Sequence, residues 1–111
     1  MNTKRFCFAL DLKDDLNLIE KYKAYHKNVW PEIIESIKTA GIDKLDIYLV
    51  ENRLFMIMET NNTFSFEKKE KADNTNSKVQ EWETLMWNYQ QALPKAKPGE
   101  KWKLMEHIFE L

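Results

Sequence analysis

The chain has 111 residues, enough for one domain to bury a core without disulfide or metal staples. A hydrophobic fraction of 43% and a charged fraction of 32% are the proportions of a soluble globular protein. The net charge of −1 and the lack of any basic block argue against nucleic acid and anionic membrane as partners.

Residues 1–111 therefore read as a single domain. Cys7 stands alone, which leaves no internal disulfide and no four-cysteine metal site. No N-terminal apolar segment and no apolar run of roughly 18 residues is present, so a cytoplasmic location is expected. Aromatic residues make up 13% of the chain, with four tryptophans. Sugar sites stack on aromatic faces, but cores use them too, so composition alone favours the core.

Lys4 to Asp11 alternates, with Phe6, Phe8 and Leu10 against Cys7 and Ala9, and predicts a strand apolar on both faces. Cys7 reads there as a small buried hydrophobe. Asp11 to Asp15 is a polar turn, and an aspartate in it can cap the next helix. That helix spans about Asp14 to Lys27. Leu16, Ile19, Tyr22 and His26 fall on it within an arc of roughly 120°. Leu16 and Ile19 belong to a core stripe; Tyr22 and His26 continue it with hydrogen-bonding tips. Pro31 suits the first turn of a second helix starting near Trp30. Gly41 fits the position just past its end, where φ is positive.

Leu45 to Val50 and Leu54 to Glu59 predict a hairpin around Glu51-Asn52-Arg53, with Asn52 taking the left-handed conformation. Both faces of this hairpin are largely apolar, so each needs a cover. A short helix is expected over Phe64 to Lys71, and a cap for the next helix in Asp73 to Ser77. Val79, Trp82, Met86, Tyr89 and Leu93 form a helical stripe from Ser77 to about Leu93. Pro94 to Gly99 is a stiff basic loop able to close over a site, and Trp102 to Leu111 predicts the last strand. The order β, αα, β, β, α, β describes an α+β fold, a ferredoxin-like antiparallel sheet with its helices on one face. The other face, still apolar, is expected to pack on that of a second subunit in a homodimer.

Chemistry concentrates in Tyr22 to Glu32, YKAYHKNVWPE. Tyr22 and His26 are neighbours at i, i+4 and can face one cavity. A histidine with its ordinary pKa of about 6.5 can give and accept a proton near neutrality. The bland alternative is a helix-end histidine bonded to a carbonyl. Tyr22 can hydrogen-bond a hydroxyl or orient the histidine, or serve as a core tyrosine. Trp30 reads first as a packing residue and second as a binding one. His107, on the parity of Met105 and Phe109, reads as structural. Two distant histidines give no metal-ligand spacing. The chain's two glycines make no phosphate loop, and no nucleophile elbow exists. No cofactor and no metal is expected.

These residues carry a resemblance. A tyrosine, three residues, a histidine and then Trp-Pro-Glu resembles the signature of the L-rhamnose mutarotases, with Tyr22, His26 and Trp30-Pro31-Glu32 matching it. The likeness extends over nearly the whole chain in length, element order and C-terminal strand. It implies a dimeric α+β barrel and a site in which His26 transfers protons and Tyr22 binds sugar. It also implies a sugar wall of two consecutive tryptophans on the long third helix. Trp82 matches the first, and Glu83 replaces the second. Leu45 stands where the family tends to place a tyrosine, and Tyr25 where it tends to place an arginine. The catalytic pair carries over; the sugar identity does not.

The expected function is thus an aldose mutarotase that interconverts the α and β anomers of a 6-deoxyhexose, L-rhamnose or L-fucose, without a cofactor. A monosaccharide is the expected partner. His26 is the expected general acid, and Tyr22, Trp82, Glu83 and Trp30 are the expected sugar contacts. Two rivals keep the fold. One is a cofactor-free monooxygenase or haem-degrading enzyme, which would need an apolar cavity. The other is a sugar-binding module without catalysis.

Overall fold

The computed structural model describes residues 3–111. Its elements are β1 (Lys4–Leu12), α1 (Leu16–Tyr25), α2 (Pro31–Thr39), β2 (Ile42–Val50), β3 (Arg53–Thr60), α3 (Phe66–Asn74), α4 (Ser77–Trp87), β4 (Gln90–Gln91) and β5 (Lys103–Leu104). The sheet is antiparallel, in the order β2-β3-β1-β4, with β5 also pairing with β1. This is the expected ferredoxin-like α+β arrangement.

Register assigns the two faces. Phe8 pairs with Met56 and Met56 with Ile47, while Leu10 pairs with Leu54. This set faces the helices, because alternate residues of a strand share a face. Leu12 and Leu54 join Ile19, Tyr22, Ile33, Val79, Trp82, Met86 and Tyr89 in the main core. A second cluster of Phe8, Ile42 and Met58 continues it toward α3. The opposite face carries Cys7, Phe55, Ile57, Tyr48 and Val50, beside an Asp11–Arg53 ion pair held by bonds of 2.7 and 3.1 Å. Cys7 is only half-buried there. Tyr48 and Val50 are 58% and 55% exposed, so the β2 side of this face has no cover among the described residues.

Local chemistry explains the helix starts. Asp15 caps α1 by accepting from the Leu18 N–H at 3.0 Å. Ser65 and Asn76 do the same for α3 and α4. Pro31 opens α2 at a position whose N–H would have no helical partner. Gly41 takes φ 96° after α2, as expected.

Several expectations are corrected. Leu16 is 81% exposed, since it sits at the first turn of α1 and points away from the sheet. The left-handed residue of the hairpin turn is Glu51, with φ 54°, and not Asn52. Asn52 is instead engaged by its Nδ2 donating to the Leu12 carbonyl at 3.1 Å and its own carbonyl accepting from the Leu12 N–H. That engagement anchors the turn to the end of β1 and leaves the adjacent residue to make the bend. β2 begins at Ile42 and carries a bulge between Ile42 and Lys44, which breaks the two-residue period that strand reading relies on.

The third long helix stops at Trp87, six residues before the predicted end. Asn88 and Tyr89 bond back three residues, to the Leu85 and Met86 carbonyls, and tighten the last turn. Lys13 N–H then takes the Tyr89 carbonyl at 2.8 Å, and Gln90–Gln91 pair with β1. Tertiary pairing thus overrides the good helix propensity of Gln-Gln-Ala-Leu. The last strand is also shorter than expected. It covers Lys103–Leu104, with one further bond from the Met105 N–H to the Cys7 carbonyl. Beyond it Ile108, Phe109 and Leu111 are exposed, and so is His107.

Candidate active site

A cavity of about 580 Å³ lies between the helix layer and the sheet, lined by residues of α1, α2, α4 and β2 among others. That volume is in the range of small-ligand sites. Tyr22, His26, Trp82 and Glu83 all line it. Trp30 does not. It packs against Trp82, with ring centroids 5.1 Å apart, and so acts behind the wall.

The end of α1 sets His26. In an uninterrupted helix the His26 N–H would bond the Tyr22 carbonyl four residues back. Here it turns to the Lys23 carbonyl at 3.1 Å. The Tyr22 carbonyl is left for the imidazole, whose Nδ1 lies 2.8 Å from it. A carbonyl only accepts, so Nδ1 carries the proton. Nε2 has no hydrogen-bond partner among the described residues, and the His26 side chain lines the cavity. In the neutral ring Nε2 is an acceptor, and in the protonated ring a donor. The helix-end carbonyl bond and a proton-transfer role are thus compatible, because each uses a different nitrogen.

The Tyr22 ring stacks obliquely on His26 at 4.4 Å and is buried. Its hydroxyl accepts from Gln90 Nε2 at 3.2 Å. Burial pushes the phenol up from its ordinary pKa, and the Gln90 bond offsets part of that. Tyr22 stays protonated at neutral pH and can donate. Trp82 is gripped edge-on by three rings: Trp30, Tyr25 at 6.3 Å and His26 at 5.7 Å. Such contacts fix the orientation of its indole.

Glu83, half-buried at the cavity wall, has a carboxylate that accepts no hydrogen bond from the described residues. Its backbone carbonyl accepts from Lys101 Nζ at 3.1 Å. The same ammonium sits 5.1 Å above the centre of the Trp87 ring. Burial lowers the Lys101 pKa, and the nearby Glu83 charge opposes that shift. The charged groups around the cavity are of both signs, among them Lys38, Asp43, Asp46, Glu83 and Lys101. Such a balance suits a neutral, hydroxyl-rich ligand better than an ion. No cluster of three metal-ligating side chains occurs among the described residues.

Sequence reading missed Gln90, Lys101, Trp102 and the bulge residue Asp43, all of which line the cavity. Gln90 and Asp43 carry no local signal, since their placement depends on strand pairing. The Trp102 and Lys101 pair follows the predicted Pro-Gly loop, and an aromatic next to that loop was the available clue. His107 has no part in the cavity. Its Nε2 lies 2.9 Å from the Phe109 carbonyl in the exposed C-terminal segment.

A family model described as L-rhamnose mutarotase matches residues 5–111. The chain belongs to the L-rhamnose mutarotase family. It is an isomerase, and anomer interconversion of a 6-deoxyhexose is the activity that family and relatives support. An L-fucose mutarotase of Xanthomonas campestris pv. campestris is 41% identical over 113 residues, spanning 100% of this chain and 90% of that protein. A UPF0734 protein of Dictyostelium discoideum is 38% identical over 112 residues, spanning 97% and 90%. The crystal structure of an L-rhamnose mutarotase of Formosa agariphila shares the fold, with a TM-score of 0.72 at 21% identity, over 97% of this chain and 98% of that one. The mutarotase fold therefore holds for this chain over nearly its whole length.

Proposed function

We propose that L-fucose is the preferred sugar of this mutarotase and that His26 is its proton donor. The observation that carries the assignment is the division of labour in the His26 ring. Nδ1 is tied to the Tyr22 carbonyl, and Nε2 remains for the same cavity that Tyr22, Trp82 and Glu83 line. Mutarotation needs one proton delivered to the ring oxygen and one removed from the anomeric hydroxyl. The C1–O5 bond then breaks, the C1–C2 bond rotates, and closure reverses both transfers. Two groups within hydrogen-bond reach suffice. The imidazolium supplies the first proton. A cavity carboxylate (Glu83 or Asp43) or a water takes the second. Trp82 offers a flat apolar face to the sugar, and Tyr22 a hydroxyl.

Glu83 supports L-fucose over L-rhamnose. The two sugars differ in hydroxyl orientation, and a carboxylate reads a hydroxyl where a tryptophan reads only a face. The 41% identity to an L-fucose mutarotase points the same way. We further propose that the active form is a homodimer. Tyr48, Val50, Phe55 and Ile57 make an apolar sheet face with no helix over it among the described residues, and Ile108, Phe109 and Leu111 are exposed as well.

Saturation-transfer NMR of anomer exchange across a sugar panel tests the reading. The fastest catalysed exchange should be with L-fucose, followed by L-rhamnose. Sugar binding with no accelerated exchange would support a binding module instead. A spectral shift on adding haem, with no effect on any sugar, would favour the monooxygenase-like rival.

A further inference from the structure

Gln90 stands out among the groups that the mechanism above does not use. It is 6% exposed, lies in the two-residue strand β4, and lines the cavity. Its Nε2 donates to the Tyr22 hydroxyl at 3.2 Å, a bond between residues 68 positions apart in sequence. Its amide oxygen, Oε1, is buried with no hydrogen-bond partner among the described residues. Buried polar atoms are nearly always partnered, so a glutamine kept only for packing would be better replaced by an apolar residue. The direction of the bond has a consequence. A phenol oxygen that accepts from an amide keeps its own proton for another acceptor. Among the described residues no protein group takes that proton.

We propose that Gln90 is a positioning residue that makes Tyr22 a hydrogen-bond donor to the sugar. The amide N–H occupies the phenol oxygen, and the phenolic O–H is presented to an oxygen of the bound 6-deoxyhexose. The opposite amide orientation would consume the proton at Oε1 and leave Tyr22 facing the sugar as an acceptor. Gln90 therefore decides which kind of sugar oxygen the buried end of the site reads. The assignment rests on the mutarotase reading of the cavity.

Gln90→Glu enforces the wrong direction without changing size. A carboxylate can only accept, so it captures the Tyr22 proton. A glutamic acid can donate again. Its ordinary pKa of about 4.3 is raised by burial, which brings the change into an accessible pH range. Relative to the parent at each pH, kcat/KM of Gln90→Glu should fall by roughly 10- to 100-fold near pH 8, the range for a misdirected polar contact. The deficit should shrink as pH is lowered. Gln90→Met should instead show a several-fold deficit that does not vary with pH.

A double-substitution cycle with Tyr22→Phe adds a readout that holds even if Gln90→Glu fails to fold. Once the hydroxyl is gone, Gln90→Met should lower kcat/KM no further. Additive losses in that cycle, or a pH-independent Gln90→Glu deficit, would overturn the assignment. A parent that neither binds nor converts any 6-deoxyhexose would overturn the mutarotase reading along with it. An active parent with unaffected Gln90 variants would overturn the Gln90 assignment alone.

Discussion

His26→Asn separates the two jobs of the His26 ring. An asparagine amide nitrogen is as many bonds from Cβ as Nδ1 is, so it can still reach the Tyr22 carbonyl. It has nothing at the place of Nε2. His26→Ala loses both. The structural loss for alanine is one half-buried hydrogen bond, about 1 kcal/mol, plus the ring contacts to Tyr22 and Trp82, about 1 kcal/mol more. For asparagine the bond survives, and the expected loss is about 1 kcal/mol. The catalytic loss should be alike in both. Removing a positioned proton-transfer group lowers kcat by about 10²- to 10⁴-fold, or roughly 3–5 kcal/mol of barrier. Urea denaturation reads the first quantity and NMR anomer exchange the second. Sugar binding should change far less, since Tyr22 and Trp82 remain. A His26→Asn protein that is folded and exchanges L-fucose anomers at the parent rate would refute the proton-transfer role. It would leave His26 as a helix-end residue bonded to a carbonyl.

Three further outcomes are expected. Glu83→Trp should weaken L-fucose conversion more than L-rhamnose conversion, measured as the ratio of kcat/KM values; an equal effect on both means that Glu83 does not read the sugar. Gly41→Ala should destabilise by about 1–3 kcal/mol in urea, because φ is 96° and a Cβ would lie 2.6 Å from Asn61 Oδ1 and 2.8 Å from Thr63 Oγ1. The parent should sediment as a dimer at micromolar concentration and Phe55→Asp as a monomer, since Phe55 lies between Ala9 and Tyr48 on the uncovered face; a monomeric parent removes the dimer.

Short-range physics was legible in the residues themselves. The strand Lys4 to Asp11, the capped α1, Pro31 at the start of α2 and Gly41 after it follow from sterics and hydrogen bonding within a few residues. The i, i+4 pairing of Tyr22 with His26 follows from helix geometry alone, and both line the cavity. Periodicity likewise placed Val79, Trp82, Met86 and Tyr89 in the core.

What depended on partners distant in sequence was not legible. Helix propensity continued α4 through Gln90, but the end of β1 offered backbone partners that a helix could not use. That single competition ended the helix, made β4 and turned Gln90 to the Tyr22 hydroxyl. The bulge before Lys44 hid the start of β2, because one extra residue shifts the alternation. Anchoring by Leu12 moved the left-handed turn residue from Asn52 to Glu51. His26 shows the boundary most clearly. Sequence placed it at a helix end. Only the departure of its N–H to Lys23 freed the Tyr22 carbonyl for Nδ1, and so left Nε2 for the cavity.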